Sequence, residues 1–170
     1  MTDMLEPLVE SEERMPTLEH GAIIARLCRY LDTYVAERDL GLVLAPQTTF
    51  AMVGAPPTRY PDLAFVRGER LPRSLDVDAD FAPDLAVEVV SGSDTVRDVD
   101  GEVLQYLRSG VEVVWVIHPV LRTVEIHARG RPSALVTEAD ELVGDPIIPG
   151  FRVPVRAIFV RRAEGMYATG

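Results

Sequence analysis

A chain of 170 residues with a formal net charge of −10 is long enough to bury a full core, and its acidity argues against tight nonspecific binding to nucleic acid, which needs cations against phosphates. Apolar residues make up 47% and charged residues 26%, the balance of a soluble globular protein, and no apolar run approaches the roughly 20 residues that span a bilayer. The single cysteine, Cys28, cannot close an internal disulfide, which fits a reducing cytoplasm, and all 17 basic residues are arginine, so no chemistry here can use a lysine ammonium.

Residues 1–15, acidic and without an apolar stretch, read as a flexible N-terminal arm and not as a secretory signal. Residues 16–170 read as one domain. Thr17 is placed to cap a helix running to about Arg38, with Ile23, Ile24, Leu27, Leu31, Tyr34 and Val35 at helical spacing. Gly41 reads as its stop. Within it, Cys28 reads as a small buried hydrophobe and His20 as a surface or packing histidine.

Strand-like segments follow at 42–45 and 48–53, then the turn Gly54-Ala55-Pro56-Pro57, then a short strand from Leu63 to Val66 after Tyr60-Pro61-Asp62. Residues 67–82 mix Gly, Pro, Arg and Asp and read as an exposed loop. A Val-rich strand spans 84–90, and Asp94 or Thr95 caps a helix reaching Ser109, closed by Gly110. VEVVWVIH, 111–118, is nearly all apolar, so strand, helix and second buried strand predict a βαβ unit with both sheet faces covered. Further strands follow in TVEIHARG, PSALVTE and FRVPVRAIFV, and Glu125 and His127 read as an exposed pair on an edge strand. The fold class is α/β (α+β), a mixed central β-sheet flanked by helices.

Two carboxylates, Asp84 and Glu88, share one face of the Val-rich strand, where a lone buried carboxylate is costly unless paired, protonated or bound to a cation. Asp62 enters the preceding strand, and neighbouring strands would bring it to Glu88 as an oxygen-rich site for Mg²⁺ or Mn²⁺. Acidic residues beside prolines also start strands at a surface, so spacing alone leaves both readings open. A glycine-rich phosphate loop, a nucleophile elbow and zinc-spaced Cys or His clusters are absent from the sequence.

RYPDLAFV, FAPDLAVEVVSGSD, GEVLQYLRSGVEVVWVIHP and IIPGFRVPVRAIF, in that order, resemble the Uma2 family of restriction-endonuclease-like proteins in the PD-(D/E)XK nuclease superfamily. The resemblance runs from about Pro16 to Phe159. It implies a restriction-endonuclease-like fold, a Mg²⁺-dependent phosphodiesterase site and DNA as substrate, with two copies pairing as a homodimer. By position, it implies Asp62, Asp84 and Glu88 as metal ligands and Asp62 and Glu88 as catalytic residues. The lysine that relatives carry on the following helix, four residues before a tyrosine, is replaced by Glu102 ahead of Tyr106, which would act as base or ligand instead. The aspartate that follows the tryptophan strand is replaced by His118. Arg97 and Arg108 share the Glu102 helix but are planar, fixed cations and no equivalent of a lysine. Arg67, Arg70 and Arg73, in the long loop, are the expected nucleic-acid contacts. The missing lysine and the net charge leave a second reading, a non-catalytic member that keeps the fold as a nucleic-acid- or protein-binding module.

Overall fold

The computed structural model describes residues 17–92 and 94–160, so the arm expected over residues 1–15 lies outside the described residues. The first helix, α1 (Leu18–Glu37), begins where the Thr17 hydroxyl accepts from the His20 backbone N–H at 3.2 Å. Ile23, Leu27, Leu31 and Val35, four residues apart, form its fully buried face. Each contributes about 1.5–3 kcal/mol by leaving water. The helix ends at Glu37, and Asp39 takes the left-handed conformation (φ 51°) in the turn that follows. Gly41 does not supply the stop. It opens strand β1 (Gly41–Leu44), where a Cβ would stand 2.1 Å from the Val66 carbonyl oxygen. That glycine is required by the close approach of a neighbouring strand.

A short hairpin, β2 (Phe50–Ala51) and β3 (Thr58–Arg59), turns through the expected Gly-Ala-Pro-Pro segment. Then come β4 (Leu63–Arg67), β5 (Leu85–Val89), helix α2 (Val96–Ser109) and β6 (Val113–His118). Between β4 and β5 the chain is more than an exposed loop: a single 3-10 turn spans Gly68–Arg70, Ala79 bridges to Phe50, and Ala82 is buried. The strands β7 (Thr123–Ala128) and β8 (Ala134–Thr137) complete a six-stranded sheet ordered β1-β4-β5-β6-β7-β8. Only β5 and β6 run parallel, and α2 is their crossover, as the βαβ reading required. Because β8 pairs outside β7, β7 is interior to the sheet and not the edge strand expected.

The alternation along β4, β5 and β6 sorts the core. Leu63, Phe65, Leu85, Val87, Trp115 and Ile117 face α1, while Ala64, Val66, Ala86, Val114 and Val116 face α2. The α1 side is extended by β9 (Glu141–Val143), β10 (Arg152–Pro154) and the short α3 (Val155–Ile158), which supply Leu142, Val153, Val155 and Ile158; Cys28 packs against the same cluster. Thr95 and Asp98 form a reciprocal capping box at the start of α2, and Gly110, at φ 110°, ends it. No helix of the described residues is long and apolar enough to cross a membrane.

Candidate active site

The antiparallel register of β4 and β5, with Leu63 opposite Val87 and Phe65 opposite Leu85, sends the expected site residues to two ends of the strand pair. Asp62, just before β4, meets Glu88 near the end of β5. This lies at the carboxyl end of the parallel pair β5–β6, where open sheets usually place their sites. Asp84 lies before β5, at the opposite end, roughly 13 Å from Glu88 along extended strand. The two parts of the carboxylate set therefore do not converge.

At the Asp84 end the charges are already matched. Asp84, 1% exposed, accepts from the Arg67 backbone N–H at 2.9 Å and pairs with the Arg67 and Arg70 guanidiniums at 3.2 and 2.9 Å. Arg67 also forks onto both Glu112 oxygens, at 2.7 and 3.1 Å, and Arg70 donates to the Ala82 carbonyl at 2.8 Å. Asp84 as a metal ligand and Arg67 and Arg70 as nucleic-acid contacts thus have competing structural engagements: their charges hold one another. Arg73 remains on the exposed surface.

At the Asp62 end, Oδ2 of Asp62 accepts from the Val89 backbone N–H at 2.8 Å and from His20 Nε2 at 3.1 Å. His20, 9% exposed, comes from the first turn of α1, so this histidine packs and faces the site at once. The contact with Asp62 raises its pKa against the opposing effect of burial, and its buried Nδ1 has no hydrogen-bond partner among the described residues. Glu88 points to the α2 side, where the buried Tyr106 hydroxyl donates to its Oε1 at 2.5 Å. Burial first, then the negative charge of Asp62, push the Glu88 pKa well above the carboxylate range; the Tyr106 hydrogen bond opposes them. Burial and the facing Glu88 likewise push up the Tyr106 phenol.

Glu102 is electrostatically coupled to this site through its contact with Arg59 and its charge. Its charge adds to the rise in Glu88, and its own pKa is raised by burial and by Asp94 and Asp62, against the pull of Arg59. Arg59 is the one guanidinium in close contact with this group among the described residues. Its Nη1 donates to Glu102 Oε1 at 2.5 Å and its Nε to Gln105 Oε1 at 2.7 Å. The β2–β3 hairpin delivers it. Gln105 donates to the Pro56 carbonyl at 2.6 Å, and the Val53 N–H donates to the Ser109 hydroxyl at 2.9 Å, fastening the hairpin to α2.

The expectation that three carboxylates share a cation is not met. No group of three or more His, Cys, Asp or Glu side chains among the described residues is arranged to hold a metal ion. Asp62 and Glu88 nevertheless fit a hard divalent cation of the Mg²⁺ kind, which keeps several waters and takes one or two carboxylates together with substrate phosphates. Asp62 Oδ1 and Glu88 Oε2 have no hydrogen-bond partner among the described residues. Burial, and after it the charge of Asp62, drive Glu88 toward its neutral form, and a cation between the two carboxylates would offset both.

Three contributors carried weak sequence signals. His20 was visible only as a first-turn residue, Tyr106 as part of the apolar stripe of α2, and Arg59 as the opening letter of RYPDLAFV. Their roles depend on the docking of α1, of α2 and of the hairpin, which local sequence does not encode. On the far side of β6, His127 hydrogen-bonds one oxygen of Glu125 at 3.2 Å, and His118 Nε2 stands 3.3 Å from the other without a hydrogen bond.

Comparison with known proteins agrees with this architecture. A crystal structure described as a "putative nuclease belonging to DUF820 from Anabaena variabilis ATCC 29413" superposes with a TM-score of 0.75 at 20% sequence identity, covering 86% of this chain and 83% of that one. That likeness establishes the fold. No curated protein matches the chain. The family profile of Uma2, described as "Putative restriction endonuclease", matches residues 10–156, most of the sequence. The chain belongs to the Uma2 family.

Proposed function

We propose that the protein is a Mg²⁺- or Mn²⁺-dependent DNA endonuclease, with residues 16–170 as its catalytic domain, acting in the cytoplasm as a homodimer. The observation that carries this reading is the meeting of Asp62 and Glu88 at the end of β5, electrostatically coupled and each with an uncommitted oxygen. Those oxygens would hold the cation, which when bound supplies Lewis-acid activation of water and of the phosphodiester. The Val89 N–H and His20 fix Asp62 through one oxygen, and Tyr106 fixes Glu88 through one, so each carboxylate is oriented before a ligand arrives. Glu102 is proposed as part of the catalytic group through Arg59, which it holds beside the carboxylates as a positive charge. The Asp84 cluster belongs to the scaffold in this reading. The replacement of the helix lysine by Glu102 favours the alternative, a module that binds without cutting.

Incubation of supercoiled plasmid with Mg²⁺ or Mn²⁺ separates the two. Nicked or linear product that needs the metal, and that falls to background with Glu88→Ala, supports the enzyme. Equal activity in wild type and Glu88→Ala, or no cleavage with either metal, rejects it and leaves the binding module.

A further inference from the structure

Beside the acidic pair, between the β2–β3 turn and the outer face of α2, lies an open cleft of about 540 Å³. Arg59, Arg97 and Arg108 line it, with Gly54, Gly101 and Gln105 between them. Arg97, Gly101, Gln105 and Arg108 recur at helical spacing along one stripe of α2, so two cations flank a floor whose central glycine carries no side chain. Arg97 and Arg108 are exposed and make no ion pair among the described residues. Arg59 is held at two points, by Glu102 and Gln105. The acids on the lining are Asp98, committed to the Thr95 capping box, and Glu102, committed to Arg59. Three arginines against two engaged carboxylates give this cleft a cationic balance on a chain whose net charge is −10.

We propose that this cleft is a phosphate track: Arg97 and Arg108, with Arg59 between them and the carboxylates, bind the backbone of the DNA strand presented to Asp62 and Glu88. The inference rests on the nucleic-acid reading of that site and relocates its contacts from the 67–73 loop to α2. Eleven residues of helix separate Arg97 from Arg108, about 16 Å, a length that roughly five nucleotides span at about 3.4 Å of axial rise each. Arg97 lies at the N-terminal end of α2, next to the turn that follows Glu88, and Arg108 at the far end, so the track leads away from the site. Small residues at Gly54 and Gly101 leave room for a backbone to lie close to the protein.

The test measures binding without chemistry. A fluorescein-labelled 20-base-pair duplex is titrated in EDTA against wild type, the double variant Arg97→Ala/Arg108→Ala, and Arg73→Ala, across a series of salt concentrations. Alanine is a good residue on an exposed helix, so unchanged melting curves are expected and are recorded for each protein. The double variant should bind at least about tenfold more weakly at low salt, and the slope of log K against log salt should flatten by nearly two, one phosphate contact per arginine. Arg73→Ala should match wild type. A double variant with wild-type affinity and slope overturns the track, as does a loss found only with Arg73→Ala. Because no metal is present, a protein that binds through the cleft and fails to cut plasmid keeps this inference and loses the nuclease reading. A wild type with no affinity for the duplex overturns the track, while metal-dependent cleavage of plasmid still decides the nuclease reading.

Discussion

The two ends of the β4–β5 strand pair carry similar letters and opposite electrostatics. At one end, Asp84 and Glu112 face Arg67 and Arg70, two acids against two cations, with the buried carboxylate bonded on both oxygens. At the other, Asp62, Glu88 and Glu102 face Arg59 and a histidine, and Glu88 is driven toward its neutral form. A carboxylate whose charge is fully answered by the protein is scaffold. One whose charge is left in excess is available to a cation or a substrate. Each end begins with Pro-Asp, so the dipeptide does not distinguish them; the cross-strand partner does.

The largest effect expected on this comparison comes from Asp84→Asn. It leaves two guanidiniums facing a buried neutral amide, and removal of one partner from a buried ion pair costs about 3 kcal/mol, or roughly 6–12 °C of melting temperature for a chain of this length. At a temperature where the variant is folded, its affinity for Mn²⁺ by calorimetry should equal that of wild type. Lost metal affinity in a folded Asp84→Asn protein would join the two ends into one site and undo the contrast.

A smaller effect, of the order of 1 kcal/mol, is expected of Glu88→Gln in metal-free buffer, and it depends on pH. The Glu88 pKa is raised in the folded protein by burial and by Asp62. Its protonated form therefore adds stability fully below the ordinary glutamate range, and that stability is lost as pH rises through the raised value. Glutamine is neutral throughout and keeps an oxygen for the Tyr106 hydroxyl. Glu88→Gln should melt higher than wild type at neutral and alkaline pH and no higher in acid. Parallel melting curves across that range would show that the folded site does not disfavour the Glu88 charge.

The elements of the fold were legible where the signal is local. Thr17 and Thr95 mark helix starts because a hydroxyl three residues from a free N–H is a property of the chain itself, and the apolar VVWVI run could only be an interior strand. Gly41 was misread because its need arises from Val66, a neighbour across the sheet. Glu125 and His127 were misplaced at an edge because the strand in PSALVTE shows in the sequence while its pairing outside β7 does not. The site divided in the same way. Asp62 and Glu88 could be paired from strand adjacency, but Asp84 was grouped with them because sequence shows a shared strand face and conceals the register that sets Arg67 beside it. His20 and Arg59 come from elements docked over the strand end, and only tertiary packing brings them there.

The smallest effect belongs to Glu112, and its sign runs against that of Glu88. Both Glu112 oxygens accept from Arg67, and that hydrogen bond holds the carboxyl below the usual glutamate range. A depressed pKa contributes stability above the unfolded value, and the contribution is lost as pH falls through the folded one. The side chain is 41% exposed, so solvent screens the pair, and Asp84 still holds Arg67 when Glu112 is gone. Glu112→Gln should therefore cost under about 1 kcal/mol near neutrality, less in high salt, and nothing in acid below the glutamate range. Chemical denaturation of wild type and variant at neutral and acidic pH, each at low and high salt, reads this directly. Convergence of the two proteins in acid, where Glu88→Gln also loses its advantage, would arise from opposite causes: at the Arg67 end an ion pair is lost, and at the Asp62 end a buried charge, and with it a repulsion, is removed. A Glu112→Gln penalty that persists in acid would show that Glu112 acts through packing, and the Arg67 end would then owe its stability to Asp84 alone.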